Sequence, residues 1–485
     1  MAENEQPLSI MICLVEIWTP KSKDAPMDKP KKCKMLAEVD SIEIDDTYKE
    51  PVCAGKVRFP RGCILKKTEA VITTQSKDNN QRQAAISGEI QASRTDSGII
   101  MVKRSSSDLA KPADFNVGDR ITIRLAYTED PKIADLARPN DSKKKTIFND
   151  ENAYNQYLSA FNGKFRWEGN ITKVSADTPI ELECEDLGAY LRRVSCPNIV
   201  SQSYMTVNDF LSDKGRFKLL KGTGFKLYPK TEAEKIPVRK PDLNDDFTVA
   251  DLLQLWQKDG LYSFTYIENN QPYIVVARTY FANAGNDSIL KFGGNEIPVI
   301  DFAYHVADNG LTILHTDKRF LAVEARCEDL DGKIYHATIR LNQATDDPYD
   351  FQVVNETHLS KKQMKKGMNP YNASHKKIDI SQYTVVPFYA YKRGMSHPQL
   401  IKDAGKFFQN FNMNGIDGIL TLFGDLSLKS GMQVHLRDNR YRAKNGVYLV
   451  ESVHTSYGVS GYRQSIILPY CISQDKVTED NTVKK

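Results

Sequence analysis

Residues 430–470 read SGMQVHLRDNRYRAKNGVYLVESVHTSYGVSGYRQSIILPY. Apolar and polar residues alternate through QVHLR, GVYLVESV and GYRQSIIL, the period-2 pattern of half-buried strands, and glycines fall where turns are needed. The stretch holds no recognisable catalytic motif. In YGVSGY (457–462) the glycines do not stand two residues on either side of Ser460, so a nucleophile elbow is excluded and Ser460 reads as a turn residue.

The pattern recurs upstream. NVGDRITIRLAY (116–127) places Ile121 and Ile123 three and five residues past Gly118, as Val434 and Leu436 stand past Gly431. EGNITKV (168–174) then parallels NGVYLVESV (445–453), which sets Gly169 beside Gly446, and TPIELECED (178–186) parallels GYRQSIILPY (461–470). Gly118, Asp119, Gly169, Cys184 and Asp186 in the first copy, and Gly431, Gly446 and Gln464 in the second, become the candidate strand and turn positions of a small repeated antiparallel β unit. In the first copy Ile121, Ile123 and Leu125 alternate with Arg120, Thr122 and Arg124, and Ile180, Leu182 and Cys184 alternate with Glu181, Glu183 and Glu185. That alternation predicts a sheet with one wet face.

Around these units, residues 8–18 and MLAEVDSIEID (35–45) each read as a strand, and the polar stretch 73–113 as a long loop or hairpin with only GIIMVK (98–103) strand-like. A helix is expected near 151–161. TVNDFLSD (206–213) and TVADLLQLWQKDG (248–260) each open with Thr followed three residues later by Asp, a helix N-cap signature; in the second, Val249, Leu252, Leu253 and Trp256 share a face. Hairpins are expected at 261–281, turning at Asn269 and Asn270, and at 321–341, turning at Asp331 and Gly332. Residues 342–380 read as loop, and 397–412 as a helix with Pro398 in its first turn and Leu400, Ala404, Phe407, Phe408 and Phe411 aligned. The predicted fold class is α+β and β-rich: two similar small antiparallel β-barrels with an inserted α/β region. The expected boundaries are 1–195, 196–300 and 301–471, with a tail at 472–485 that is disordered by composition.

A chain of 485 residues exceeds what one core usually serves, and 40% hydrophobic with 26% charged residues is ordinary for packed domains. Lys+Arg 66 against Asp+Glu 62 leaves a net charge of +4, far from the excess that a dedicated nucleic-acid binder needs. The basic runs KPKKCK (29–34), KKK (143–145) and KKQMKKGM (361–368) lack interleaved aromatics and read as solvated loops. Eight cysteines without a Cys-x-x-Cys spacing point to reduced, structural thiols. The N-terminus lacks a basic signal-peptide region, and no apolar stretch approaches membrane-spanning length.

No phosphate loop, HExxH, GxGxxG or EF-hand loop occurs; EDLDGK (328–333) reads as a hairpin turn. The eight histidines are dispersed without zinc-ligand spacing, and Glu183 and Glu185 share one strand face instead of flanking a cleft. The expectation is a non-enzyme without cofactor or metal.

The order of elements resembles the tailed-phage baseplate hub family, which includes the late control protein D group of contractile phages and the hub half of the VgrG spike proteins of type VI secretion. The resemblance spans about residues 115–471 and rests on FRWEGNITKV, PIELECEDLGAYLRR, TVNDFLSDKG, TVADLLQLWQKDGL, GILTLFGDLSLKSGMQVHLRD and NGVYLVESVHTSYGVSGYRQSIIL, with VRFPRG (57–62) among the entry strands. It implies a homotrimer in which each chain contributes two similar barrels, so that a ring of six joins a sixfold tail tube to a threefold spike. The implied partners are the tail tube protein, a spike or tail-tip protein and other baseplate proteins, with DNA only in transit through the lumen and no membrane insertion by this chain. The implied location is the virion tail tip or baseplate, assembled in the bacterial host cytoplasm. Arg120, Arg124, Glu181 and Glu183 are candidate lumen or ring contacts. The chain departs from the family's larger members in having no lysozyme-like module and no glycine-rich spike repeats, and its polar insertions near 73–113, 128–160 and 342–395 exceed a minimal hub. The alternatives are a tail-tip protein that binds or cleaves glycans, also β-rich with long polar loops, and a nucleic-acid-handling protein that uses the lysine loops.

Overall fold

Strand β1 (Ile10–Thr19) is apolar on both faces, and two cores claim it. Cys13, Val15 and Ile17 enter the main core of the first unit, while Ile12 and Leu14 pack on the opposite face with Ala126, Ile147, Phe148, Tyr157 and Phe161. The computed structural model describes residues 9–20, 32–73, 91–94, 100–138, 145–197, 205–229, 238, 247–257, 261–268, 271–278, 297–313, 321–328, 334–342, 351–359, 383–390, 396–410 and 416–475. The turns at Asn269, Asn270, Asp331 and Gly332, the run 361–368, Phe411 and residues 476–485 lie outside them.

The first unit continues with β2 (Lys32–Leu36), β3 (Ser41–Thr47), β4 (Ala54–Phe59), β5 (Ile64–Thr73), β6 (Gln91–Arg94), β7 (Ile100–Leu109), β8 (Arg120–Thr128), β9 (Phe165–Val174) and β10 (Ile180–Asp186). Between β8 and β9 lie the helices α1 (Pro131–Asp135) and α2 (Glu151–Ser159). The inserted region holds α3 (Val207–Leu211), β11 (Lys226–Leu227), α4 (Val249–Gln257), β12 (Leu261–Glu268) and β13 (Gln271–Arg278). Then come β14 (Val299–Asp301), β15 (Val306–Asn309), β16 (Thr312–Ile313), β17 (Leu321–Glu328), β18 (Ile334–Leu341), β19 (Phe351–Leu359), β20 (Thr384–Ala390) and α5 (His397–Asn410). The second unit closes with β21 (Ile416–Asp417), β22 (Leu420–Phe423), β23 (Gln433–Arg437), β24 (Gly446–Leu449), β25 (Ser452–Gly458), β26 (Gly461–Ile467) and β27 (Tyr470–Gln474).

One 14-stranded sheet runs through both units in the order β15-β22-β26-β25-β3-β4-β10-β9-β8-β1-β2-β5-β7-β6. It curves around a core that includes Ile44, Val57, Phe59, Ile121, Ile123, Trp167, Leu182 and Cys184. The second unit has its own core of Ile300, Leu420, Leu428, Val434, Leu436, Tyr448, Val450 and Ile466. Both units are therefore β-rich and built on antiparallel meanders, but among the described residues no ladder closes either into a barrel.

The helices of the insertion start as expected. Thr206 Oγ1 accepts from Asp209 N–H while Asp209 Oδ2 accepts from Thr206 N–H, and Thr248 with Asp251 repeats the exchange. Val249, Leu252, Leu253 and Trp256 face one core with Val207, Phe210 and the β12–β13 hairpin. A separate sheet, β19-β18-β17-β20, packs Val323, Ala325 and Ile339 against Leu400, Ala404, Phe407 and Phe408 of α5.

Several expectations change. Residues 35–45 are two strands, because β2 pairs with β1 and β5 whereas β3 pairs with β4 and β25, and the chain must turn between them. Within the stretch 73–113, expected as a long loop or hairpin with strand only at 98–103, β7 reaches Leu109 and pairs antiparallel with β5 from Ile64↔Leu109 to Thr73↔Ile100, through backbone groups that composition does not report. The expected loop 342–380 contains β19, paired antiparallel with β18. Lys32, Cys33 and Lys34 of the first basic run lie in β2, and the Lys34 ammonium reaches the Asp119 carboxylate at 3.4 Å instead of water. At the other end, β27 carries ordered chain to Gln474, past residue 471 where the tail was expected to begin.

Candidate functional site

The two units share a turn that can be superposed bond by bond. In the first, Asn116, Val117, Gly118 and Asp119 lead into β8: Gly118 N–H donates to Ile171 O at 2.7 Å, Ile171 N–H returns to Asp119 O at 2.9 Å, and Asp119 N–H closes on Asn116 O at 3.1 Å. In the second, Lys429, Ser430, Gly431 and Met432 lead into β23: Gly431 N–H donates to Val450 O at 2.8 Å, Val450 N–H returns to Met432 O at 2.8 Å, and Met432 N–H closes on Lys429 O at 3.3 Å. Even the side chain after the glycine repeats its role, since Asp119 Oδ2 accepts from Asn116 N–H and Met432 Sδ from Lys429 N–H. Gly118 and Gly431 have φ of +93° and +77°, a region that an L side chain rarely enters.

From that turn the ladders run in the same register, Ile121↔Gly169 matching Val434↔Tyr448 and Ile123↔Trp167 matching Leu436↔Gly446. The sequence match of Gly169 with Gly446 is therefore offset by two residues; the ladder sets Gly169 level with Tyr448. Gly169 has its own reason to be glycine, because a Cβ there would stand 2.2 Å from Glu185 O and 2.4 Å from the Trp167 ring.

The units are joined edge to edge. β25 of the second pairs with β3 of the first from Ser452↔Thr47 to Gly458↔Ser41. His454 Nδ1 and Asp45 Oδ1 meet at 2.7 Å across this ladder. Tyr462, from β26, is fully buried in the first unit's core, where it stacks on Tyr127 at 5.5 Å and faces Phe165; the Tyr127 hydroxyl donates to Tyr462 O at 2.9 Å. Gly424 makes room for this ring, since a Cβ there would lie 2.3 Å from it. Gln464, also fully buried, accepts from Leu428 N–H at 2.9 Å and donates to Leu428 O and Thr455 Oγ1 at 3.0 and 3.1 Å, which ties β26 to the loop before the turn.

Where the joint meets the inserted hairpin, polar groups collect. Asp46 Oδ1 accepts from Ser430 Oγ at 2.6 Å and its Oδ2 from Ser430 N–H at 3.3 Å. Asp186, at the end of β10 and 4% exposed, accepts from Thr265 Oγ1 at 2.8 Å through Oδ2, while Oδ1 faces the Gly188 backbone without a well-formed hydrogen bond. Burial pushes the Asp186 carboxyl up to about 7, with the Asp46 carboxylate adding to the rise. Burial pushes the Lys429 ammonium down against the pull of the Asp46, Glu168 and Asp186 carboxylates. Beside these lies an apolar cluster of Tyr48, Tyr262, Phe264 and Leu449, and Gly431 lets Phe264 close on the turn, for a Cβ there would stand 2.2 Å from that ring.

The expected wet face divides in two. Glu181 pairs with Lys56 at 3.0 Å, Glu183 with Lys173 at 2.7 Å and Glu185 with Arg192 at 2.9 Å, all in reach of solvent. Arg120 and Arg124 are mostly covered instead of facing water: Thr122, Glu16 and Glu168 are buried, Arg120 and Arg166 both pair with Glu168, Arg124 pairs with Glu16 at 3.0 Å, and Tyr154 of α2 donates to Glu16 at 2.8 Å. Burial alone would raise the Glu168 carboxyl, but the Arg120 and Arg166 guanidinium groups hold it below the usual carboxylate range. Cys184 is buried, and burial pushes its thiol far up, as for an inert core cysteine. Sequence reading misses Asp46, Thr265 and Tyr462; its one signal is polar Asp186, a candidate strand or turn position that stands at a core position of an alternating strand.

Among the described residues, no cluster of three or more His, Cys, Asp or Glu could hold a metal ion, and no helix is long and apolar enough to cross a membrane. No family model matches the chain, and no curated protein matches it. Among solved structures it is similar to a tail protein of Neisseria meningitidis MC58, at 10% identity over 95% of this chain and 96% of that one, with a TM-score of 0.40. It is similar to a 43 kDa tail protein of prophage MuSo2 from Shewanella oneidensis, at 10% identity over 95% and 97%, with a TM-score of 0.42. It is also similar to a half-lidded Francisella PdpA–VgrG complex, at 8% identity over 96% of this chain and 59% of that one, with a TM-score of 0.42.

Proposed function

We propose that this chain is the structural hub of a phage tail tip or a phage-like injection machine, three copies of which form a ring of six β units between a hexameric tail tube and a trimeric spike or tip. The observation that carries the reading is the joint: two units with the same turn and ladder register, the second adding β25, β26, β22 and β15 edge to edge to the first unit's sheet while its β23 and β24 stand in a separate four-stranded sheet; the joint sheet ends in β6 and β15, each with a neighbour on one side only among the described residues. A heterologous contact of this kind repeats from unit to unit, and when its rotation closes it makes a ring. The free ends of this sheet then pair between chains as β3 and β25 pair within one, and neither of its two end strands stays exposed.

In this reading each unit is a small barrel completed on assembly, and the chain works by geometry and has no catalytic role. Other baseplate proteins surround the ring, DNA crosses its lumen, and the particle assembles in the host cytoplasm. The solvent-facing Glu181 and Glu183 are the lumen or ring contacts, whereas Arg120 and Arg124 support the fold behind them.

Light scattering on a sizing column, followed by electron-microscope class averages, tests the reading. A trimer with a central hole and six similar densities, alone or on addition of the tail tube protein, is the expected result. A chain that stays monomeric with the tube protein present and binds soluble glycans would overturn it.

A further inference from the structure

The polar junction is placed where all three parts of the chain meet. Asp186 ends β10 of the first unit, Thr265 belongs to the inserted hairpin, and Ser430 to the turn of the second unit, which holds Asp46 of the first. Asp46 has both its carboxylate oxygens bonded and the Lys429 ammonium nearby. Asp186 has one well-formed hydrogen bond, from the Thr265 hydroxyl; its Oδ1 lies by the Gly188 backbone without a well-formed bond, and the Cys53 backbone also approaches the carboxyl. Burial outweighs these donors, so an ionised carboxylate is poorly solvated there and a neutral acid is not.

We propose that Asp186 is a proton-operated latch: protonated, it keeps the inserted hairpin and the 429–431 turn locked onto the first unit, and on losing its proton it loosens all three together.

Among the groups packed around it, Lys429 is the one whose titration burial also shifts toward neutrality, and the Asp186→Asn variant leaves that titration in place. From the first unit come Asp46, already bonded, and the Cys53 thiol, which burial keeps protonated. On the neighbouring strands Glu168 is held by Arg120 and Arg166, and Glu185 points outward to Arg192. The hairpin presents Thr265 and the Tyr262 phenol, which burial raises. From the second unit come Lys429 and Ser430, and Glu451 is taken by Lys49 at 2.6 Å.

The direction follows from linkage. The closed junction holds the carboxyl near neutrality, and opening it to water returns the group to an ordinary aspartate range, so the closed form binds the extra proton between those two values. Each pH unit of rise within that window favours opening about tenfold, and above neutrality the effect levels off.

Hydrogen exchange on the full chain from pH 5 to 8, corrected for intrinsic exchange chemistry, tests the latch. Protection of Leu261–Glu268 and of 427–432 is expected to fall about a hundredfold across that range, and in Asp186→Asn, which stays neutral, to be flat and high. If that variant does not fold, Thr265→Val serves: it removes the donor that favours the charged form, so the fall moves to higher pH. Flat wild-type protection, an Asp186→Asn chain that keeps the wild-type slope, or a Thr265→Val chain whose fall does not move overturns the proposal.

Discussion

Replacing Gln464 with leucine tests the tie between β26 and the loop that carries the second turn. Leucine has nearly the volume of glutamine, so the change opens no cavity, but it strips hydrogen bonds from Leu428 N–H, Leu428 O and Thr455 Oγ1 in a site with no access to water. A buried group left without its partner costs about 1–3 kcal/mol. Three of them, offset in part by the apolar side chain that enters, leave a net loss of about 3 kcal/mol. A chain with several cores gives no single unfolding free energy, so the loss is best read locally. Hydrogen-exchange protection across residues 424–432 and β25 should drop about a hundredfold, at 1.4 kcal/mol per tenfold, with β4 as an unchanged internal reference. A drop of less than threefold would mean that Gln464 is a filler and the loop is held by apolar packing alone.

Tyr462→Phe should be neutral or stabilising by about 1 kcal/mol, because the buried hydroxyl makes no hydrogen bond among the described residues, whereas Tyr462→Ala should cost about 3–5 kcal/mol; thermal denaturation of both separates them. Arg120→Glu leaves the buried Glu168 with a like charge in place of a partner and should cost about 3–5 kcal/mol, while Glu183→Lys on the open face should leave monomer stability within about 0.5 kcal/mol. Native mass spectra of the Glu183→Lys chain should then show lost assembly if that face contacts a neighbour. Because the Glu168 carboxyl is depressed, its contribution is present above the ordinary carboxylate range and lost as pH falls through the lower folded value. Glu168→Gln should flatten that acid limb in a pH series of thermal midpoints.

The repeated unit was legible because it depends on period and on glycine. Gly118 and Gly431 stand at positive φ, and Ile121, Ile123, Val434 and Leu436 alternate inward as their spacing requires. The helix caps at Thr206 and Thr248 were legible for the same local reason. What could not be read depends on which residues come together from far apart in the chain. Arg120 and Arg124 alternate like surface residues, yet they pair with the buried Glu168 and Glu16, the latter also reached by Tyr154 of the segment inserted after β8, and no local pattern announces those partners. The loop-or-hairpin reading of 73–113 stops short of the full β5–β7 ladder, which is paired through its backbone, and hydropathy does not see that. Asp186, Asp46, Thr265 and Ser430 are dispersed over the chain and meet only because β25 lies along β3.

That joint has a consequence for how the proposed ring comes apart. Within one chain, neighbouring units share a backbone ladder, the buried Tyr462 and the Gln464 tie, and they are linked covalently as well. Between chains the proposed ring uses the end strands of the joint sheet, β6 and β15, and among the described residues neither brings a second Tyr462. The six positions would therefore be alike in outline and unlike in strength, with three strong joints alternating with three weaker ones. Mild urea should release folded monomers, each still carrying its two joined units, before any core opens. Native mass spectrometry along a urea series, with tryptophan fluorescence read in parallel, distinguishes the cases: Trp167 and Trp256 lie in separate cores and should both report unfolding well after the trimer has gone. If loss of the trimer and exposure of Trp167 coincide, the joint between chains supports the first unit's core as strongly as the joint within it, and the inequality argued from Tyr462 is wrong.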